Sequence, residues 1–159
     1  MEKQPQRQDT VGDSPTLRIK KLCPDARLPL HATEGSSGLD LFACIKEGEG
    51  RILLQEMPRL IGTGIALEVP QGYDAQIRPR SGLSAKGVMV AFGTVDSDYR
   101  GEVMITMYVL GQGNSFEIKH GDRIAQLVTG KLASLPLEEV DELAPTQRGP
   151  RGHGSTGID

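Results

Sequence analysis

Apolar residues along this chain recur mainly at every second position, which is the period of β-strands rather than of helices. Between Leu60 and Val69 the apolar and β-branched side chains fall on odd-numbered positions and share one face. The segment Tyr73–Arg80 alternates more sharply, because its even-numbered positions are all polar. The run Glu102–Leu110 is apolar on both faces, which is typical of a strand between two packed layers or at a subunit interface.

Further strand-like runs are Leu17–Leu22, Ser115–Ile118 and Arg123–Leu132. A helix is expected at two places at most. Residues Ser81–Lys86 predict one or two turns that begin at a serine cap, and Leu137–Leu143 is too short for periodicity to decide. Many short strands, separated by turn residues at spacings of about ten, predict an all-β fold of the sandwich or barrel kind.

The composition agrees with many short strands. Aromatic residues make up 4% of the 159 residues and tryptophan is absent, so aliphatic side chains must fill the core. The 20 glycines and 10 prolines exceed average usage, which argues against long helices and for segments joined by tight turns. The length suits one domain, which we expect over residues 16–144.

The charge balance and the N-terminal segment limit the possible functions. The chain has 18 Lys and Arg against 21 Asp and Glu, a net charge of −3, so the basic surface of a general nucleic-acid binder is not expected. No apolar run approaches the roughly 20 residues that cross a bilayer. Residues 1–15 are polar and lack the apolar stretch of a secretory signal, so we expect a disordered leader on a cytoplasmic protein.

The cysteines and histidines indicate no metal centre. Cys23 and Cys44 are too far apart in the sequence for a zinc pair or a disulfide framework, so we expect two free thiols. The three histidines are scattered along the chain. A transition metal held by the protein is not expected.

The segment 145–159 differs from the rest, since it is rich in glycine and arginine and nearly devoid of apolar side chains. Its backbone amides, arginines and Ser155–Thr156 pair are groups that surround phosphate oxygens, although a disordered soluble end fits the composition equally well. Ordering a dozen residues costs about 12–24 kcal/mol of backbone entropy. We therefore predict an arm that is mobile when empty and ordered when a triphosphate is bound.

Two further segments have both a structural and a functional interpretation. Arg80 falls on the polar face of its strand just before Ser81 and Gly82, which indicates either an anion site or an ordinary capped turn. The segment Gly93–Glu102 carries two aspartates in a glycine-bounded hairpin. Such residues commonly form Asx turns, but one of them could orient a water molecule while Tyr99 packs against a sugar.

The last two segments carry weaker signals. Asp40 lies inside an apolar strand and needs a partner, for which Arg80 is a candidate. In Gly121–Leu127 strict alternation puts Arg123 and Gln126 on opposite faces, so a turn followed by a strand is the simple interpretation.

Taken in order, the five segments resemble the five motifs of the trimeric dUTPases, and the resemblance runs from about Leu17 to Gly157. It implies a distorted jelly-roll or β-sandwich-like subunit, a homotrimer, and active sites at the subunit interfaces. It also implies that the C-terminal arm closes over a site on a neighbouring subunit.

The resemblance implies roles for residues of the hairpin. Asp96 would orient and deprotonate the attacking water, and Tyr99 would stack on the deoxyribose and exclude a 2′-hydroxyl. The backbone groups of Gly93 and Met104 would pair with the uracil edge.

It also implies which residues bind the phosphates. Ser81, Gly82 and Gln126 would hold them, with Arg80 alongside and paired to Asp40. The implied arm contacts are Arg148 on the γ-phosphate, His153 over the uracil, and Gly154, Ser155 and Thr156 beside them. Magnesium would be held by the triphosphate, with Asp40 reaching it through water. The family commonly has Phe where this chain has His153 and Tyr where it has Leu39.

The activity implied is hydrolysis of dUTP to dUMP and pyrophosphate, by magnesium-assisted in-line attack of water on the α-phosphorus. This reaction limits uracil incorporation into DNA and supplies dUMP for dTMP synthesis. The alternatives are a dCTP deaminase of the same fold, a nucleotide-sensing module that switches a protein partner, and a purely structural jelly roll. The first needs a different hairpin, and the last would not require the arm.

Overall fold

A computed structural model describes residues 14–46 and 48–150, which form a nearly all-β structure. The elements are β1 Arg18–Lys21, β2 Leu30–His31, β3 Leu39–Phe42, β4 Arg51–Leu54, β5 Arg59–Glu68, β6 Tyr73–Arg78, α1 Ser81–Ser84, β7 Val88–Val90, β8 Gly93–Val95, β9 Glu102–Val109, β10 Phe116–Lys119 and β11 Arg123–Lys131. The predicted fold class is confirmed.

The strands form two main antiparallel sheets and one separate two-stranded antiparallel sheet. One sheet has the order β1-β5-β9-β7 and the other β2-β3-β11-β6-β8, while β10 pairs with β4. Both main sheets contribute to a single aliphatic core, as expected without tryptophan. Its most buried side chains include Leu41, Leu54, Ile61, Ile65, Leu67, Ile105, Met107, Ile118, Ile124 and Leu127.

The two faces of β9 have different environments. Alternate residues from Val103 to Val109 are buried in the core. The opposite face bears Met104 and Tyr108, which are partly exposed, and Leu60 of β5 lies beside it across the strand pair. The described chain therefore covers only one of the two apolar faces that the sequence predicts.

The short helix α1 starts differently from the prediction. Arg80, not a serine, precedes the first helical residue, and it has an extended backbone and no side-chain capping bond. Its carbonyl accepts hydrogen bonds from the backbone N–H groups of Leu83 and Ser84. The prediction of a serine cap is wrong, because Ser81 already lies in the helix. Among the described residues, no helix is long and apolar enough to span a membrane.

The segment after β11 has no regular structure. Residues 131–150 are all exposed, and Leu137–Leu143 is not a helix. Irregular structure thus begins at residue 132, before the arm predicted from residue 145. Several leucines of this segment face solvent, among them Leu135 and Leu137, which are 78% and 101% exposed.

A bulge in β11 changes which of its residues share a face. Arg123 lies opposite Phe42 and Gln126 opposite Asp40, with a register shift between Arg123 and Ala125. Since residues 40 and 42 of a strand face the same side, Arg123 and Gln126 do so too. The expectation that they lie on opposite faces is wrong, because the bulge adds one residue between them.

A second irregularity, in β5, brings the two cysteines together. Gly64 has a positive φ of 66°, and the register with β9 shifts between Gly62 and Ala66. The Sγ atoms of Cys23 and Cys44 are 2.7 Å apart at this point, and both thiols are free. The expectation of two free thiols is confirmed. The thiols lie close together in space because the segments that follow β1 and β3 both bond to the bulge of β5.

Candidate active site

An ion-pair cluster around Asp40 forms one part of the site. Asp40 is 6% exposed, and its two carboxylate oxygens accept hydrogen bonds from Arg80 Nε at 2.9 Å and Arg123 Nη1 at 3.1 Å. Arg80 Nη1 also donates to the backbone carbonyl of Arg123 at 3.0 Å. The predicted pair of Asp40 and Arg80 is present. Arg123 was missed as a partner because the β11 bulge gives no signal in the pattern of residues.

The cluster of Asp40, Arg80 and Arg123 has a net charge of +1, which favours an anion at the two guanidinium groups, while Asp122 adds one negative charge to the wall of the same cavity. The free-energy cost of removing the Asp40 carboxylate from water is offset by its two charge-assisted hydrogen bonds. Arg80 and Arg123 both line a cavity of about 240 Å³, together with Leu83, Phe116, Ile118 and Asp122. A phosphate group is the chemical class of ligand that paired guanidinium groups bind well.

Three of the predicted phosphate-binding residues lie next to this cluster. Ser81 and Gly82 are exposed in the first turn of α1, where backbone N–H groups have no carbonyl of their own helix to bond. Gln126 Nε2 donates to the carbonyl of Pro79 at 2.8 Å, which holds the chain just before the helix. Gly38 leaves the room for this side chain, since a Cβ there would collide with Gln126 Oε1.

A second cavity, of about 200 Å³, lies at the loop between β8 and β9. The hairpin expected here is wrong, because β8 and β9 belong to different sheets and do not pair with each other. The structure brings four predicted residues together in its wall, namely Gly93, Asp96, Tyr99 and Met104. The other lining residues are Ile77, Thr94, Val95, Glu102 and Val103. The cavity thus combines residues of β6, β8 and β9 with those of the loop between β8 and β9, among them two acidic residues and one aromatic residue.

Hydrogen bonds within the loop between β8 and β9 hold the Tyr99 ring in place. The Tyr99 hydroxyl donates to the carbonyl of Glu102 at 3.0 Å, and the Tyr99 N–H donates to the carbonyl of Asp96 at 3.1 Å. Arg100 Nη1 donates to the carbonyls of Ser97 and Tyr99. A Cβ at Gly101 would collide with the Tyr99 hydroxyl, so the ring position requires glycine there. The support that Gly101 and Glu102 give to the Tyr99 ring has no signal in the sequence, because it depends on how the ring folds back over its own turn.

The two cavities are separate within one chain, and they share no lining residue. The register of β6 and β8 sets Val95 opposite Ala75, five residues before Arg80. The second cavity nevertheless extends to Ile77, which lies opposite Gly93 and three residues before Arg80. Asp96 lines this cavity, whereas Arg80 and Arg123 line the other one.

The arm is described only in part. Arg148 lies on the exposed surface, and the neighbouring Gly149 N–H donates to both oxygens of Thr146 in a turn. The predicted arm contacts His153, Gly154, Ser155 and Thr156 lie outside the described residues. Within residues 14–46 and 48–150, no three His, Cys, Asp or Glu side chains are grouped as they would be around a metal ion.

Comparison with known proteins finds relatives along most of the chain. The dUTPase family model matches residues 25–157. The deoxyuridine 5'-triphosphate nucleotidohydrolase of Hydrogenobaculum sp. (strain Y04AAS1) is 47% identical over 146 residues, which cover 89% of this chain and 98% of the relative. The protein of the same name from Neorickettsia sennetsu is 48% identical over 139 residues, or 85% of this chain and 91% of the relative.

Solved structures share the fold. The dUTPase of Staphylococcus bacteriophage 80alpha, solved with dUPNHPP, is 26% identical to this chain and superposes with a TM-score of 0.74. The match covers 90% of this chain and 99% of the phage protein.

Proposed function

The chain belongs to the dUTPase family, and we propose that it hydrolyses dUTP to dUMP and pyrophosphate. The observation that carries this proposal is the β8–β9 cavity, which is lined by Gly93, Asp96, Tyr99 and Met104 together. The reaction lowers the amount of dUTP available for incorporation into DNA and supplies dUMP for dTMP synthesis. A cytoplasmic location is part of the same proposal.

The cavity between β8 and β9 recognises the nucleoside. Backbone donors and acceptors at Gly93 and Met104 pair with the uracil edge and oppose cytosine, whose amino group replaces a carbonyl. Tyr99 packs against the deoxyribose, and its ring is held by the bond to Glu102 so that a 2′-hydroxyl finds no room. The support for this arrangement is that all three residues line one cavity.

Asp96 acts on the attacking water. Its carboxylate holds the water in line with the α-phosphorus and accepts a proton as the new oxygen–phosphorus bond forms. The bond from the α-phosphorus to the bridging oxygen breaks, and pyrophosphate leaves. Positioning and charge neutralisation supply most of the rate in such phosphoryl transfers.

The arginine cluster and α1 hold the triphosphate. Arg80, with Arg123 beside it, neutralises phosphate oxygens, while the N–H groups of Ser81 and Gly82 and the amide of Gln126 donate to them. Asp40 fixes both guanidinium groups by its two hydrogen bonds.

Magnesium bound to the triphosphate would neutralise further phosphate charge. Asp40 fits an indirect contact rather than a direct bond to the ion. Its two arginine partners disfavour a directly bound cation, but a carboxylate oxygen accepts more than one hydrogen bond, so a metal-bound water can be added. The substrate phosphates would therefore supply the direct ligands.

A complete site requires a second copy of the chain, and the assembly we propose is a homotrimer. Three observations support association. Asp96 and the two arginines line different cavities of one copy, the Met104 face of β9 is only partly covered, and the leucines of residues 132–143 are exposed. Burying these apolar side chains against other copies is favourable.

The arm from residue 145 closes over the bound nucleotide. Arg148 contacts the γ-phosphate, His153 covers the uracil, and Gly154, Ser155 and Thr156 add hydrogen bonds. An imidazole buries less apolar area than the phenyl ring common in the family, so His153 stabilises the closed arm less than phenylalanine would.

Pyrophosphate release from dUTP, UTP, dCTP and dTTP in the presence of magnesium tests the proposal. We expect turnover of dUTP and at least about a hundredfold lower kcat/KM for the other three. In Asp96→Asn, kcat should fall by about a hundredfold or more while dUTP still binds. Asp98→Asn is the matched control, because Asp98 lies in the same loop between β8 and β9 but does not line the cavity. Near-native kcat in Asp96→Asn would overturn the assignment.

A further inference from the structure

The two cysteines form a pair whose surroundings hold them face to face. The N–H of Leu22 donates to the carbonyl of Gly64 at 2.7 Å, directly before Cys23. The N–H of Cys44 donates to the carbonyl of Gly62 at 2.8 Å. The backbone next to each thiol is therefore bonded to the β5 bulge, so the 2.7 Å approach of the sulfur atoms does not depend on a flexible loop.

Gly64 makes the space that the two sulfur atoms occupy. A Cβ at this position would lie 2.7 Å from Cys44 Sγ and 2.8 Å from Cys23 Sγ. Both cysteines are half-buried at the edge of the core rather than sealed inside it. A disulfide bond has an S–S length of about 2.05 Å, which a small movement of the two sulfur atoms would reach.

We propose that Cys23 and Cys44 are a modification site that forms a reversible intramolecular disulfide by exchange with low-molecular-weight disulfides. The Cys23 thiolate attacks one sulfur of the small disulfide, releasing one small thiolate and leaving a mixed disulfide on Cys23. Cys44 then loses its proton to solvent and attacks the Cys23 sulfur, which releases the second small thiolate. Two protein thiols are oxidised, and one small disulfide is reduced to two thiols.

The environment of Cys44 decides the order of the two steps. Burial, the contact with Cys23 and the negative charges of Glu102 and Asp25 together raise the pKa of the Cys44 thiol to about 12. Because the thiolate is the attacking species, Cys44 is unreactive toward an outside disulfide near neutral pH. Cys23 is therefore the residue that reacts first, and Cys44 resolves the mixed disulfide.

The cross-link joins two parts of the fold that support the site. It closes a loop from residue 23 to residue 44 that contains β2, β3 and Asp40. On the other side of the bulge, the N–H of Gly64 donates to Glu102 Oε1 at 2.7 Å, at the start of β9. Because a closed loop has less entropy to gain on unfolding, the oxidised protein should melt about 5 °C higher than the reduced protein.

Intact mass measurement of the full chain after equilibration with glutathione disulfide tests the proposal. Free thiols are blocked with iodoacetamide in denaturant before the measurement. The expected product is a single chain lighter by two hydrogen atoms, unreactive toward iodoacetamide and fully restored by dithiothreitol. Two alkylated thiols at every glutathione ratio, a stable glutathione adduct, or a cross-link between chains would overturn it.

Single serine variants test the order of attack. Cys44→Ser should stop at the mixed disulfide, with one glutathione added. Cys23→Ser should react with glutathione disulfide at least about tenfold more slowly than Cys44→Ser does. Equal rates in the two variants would contradict the order, and an oxidised wild-type protein that melts no higher than the reduced one would contradict the closed loop.

Discussion

Asp40 is the residue on which the cationic part of the site depends. It is buried, and each of its oxygens accepts a hydrogen bond from a different arginine. Without its charge, Arg80 and Arg123 would repel each other across a partly buried space. The carboxylate is thus needed to hold two positive charges together where phosphate is to bind.

Replacing this carboxylate should destabilise the fold as well as weaken binding. In Asp40→Asn we expect a loss of about 3 kcal/mol in the free energy of unfolding, measured by urea denaturation, because a buried pair loses one partner. The matched control is Glu117→Gln, which removes the exposed pair with Arg51 and should cost less than about 1 kcal/mol. Equal losses in the two variants would contradict the role given to burial.

Gly101 controls the position of the Tyr99 ring. Since a side chain at residue 101 would collide with the Tyr99 hydroxyl, Gly101→Ala should displace the ring. We expect the ratio of kcat/KM for dUTP over UTP to fall about tenfold. Gly35→Ala is the control, because a Cβ at Gly35 meets nothing within 4 Å. An unchanged ratio in Gly101→Ala would show that the ring does not exclude the 2′-hydroxyl.

The sequence predicted part of this residue-scale arrangement. The pairing of Asp40 with Arg80 followed from the need of a buried carboxylate for a partner, and it is confirmed. Arg123 and Gly101 could not be predicted in the same way, because their contacts depend on a bulge and on a side chain folding back over its own turn. The roles of the predicted residues in catalysis stay predictions.

At the scale of elements, period-two patterns predicted the long strands well and the short ones poorly. The ends of β5, β6, β9 and β11 lie within two residues of the expected bounds. Strands of two or three residues, such as β2 and β7, are too short to show a period. The serine cap was wrong because the Arg80 side chain bonds to Asp40 and its backbone takes the extended position before the helix.

The β5 bulge is an element-scale feature that only glycine allows. Gly64 combines a positive φ with close contacts to both cysteine sulfur atoms. Gly64→Ala should therefore lower the free energy of unfolding by about 2–3 kcal/mol, from backbone strain and overpacking together. Urea denaturation measures the loss, with Gly35→Ala again as the control. A midpoint equal to that of the wild type would contradict the strained geometry.

At the scale of the whole molecule, exposed apolar side chains support the proposed assembly. Leu137 is fully exposed in one copy, so its replacement should not affect a monomer. Leu137→Ser should shift the equilibrium measured by sedimentation from trimer toward monomer, by about tenfold in the association constant. Glu138→Gln, on the same segment, is the control. A trimer of unchanged strength in Leu137→Ser would exclude docking of this leucine on another copy.

The assembly was not predictable from periodicity alone. The two apolar faces of β9 indicated either packed layers or a subunit interface, and the structure buries one face while leaving the other partly exposed. Only the resemblance to a trimeric family suggested what covers the second face. That Asp96 and the two arginines line different cavities is a structural result that no local pattern contains.

The most direct test of the account is complementation between two inactive variants. Asp96→Asn lacks the water-orienting group but keeps the arginine cluster. Arg80→Gln lacks the phosphate-binding guanidinium but keeps the cavity with Asp96. If every site combines halves from different copies, mixed trimers at equal ratio should regain activity in about one site in four, provided that both variants assemble. Pyrophosphate release after subunit exchange measures this. Activity that stays at the level of the separate variants would contradict a shared site.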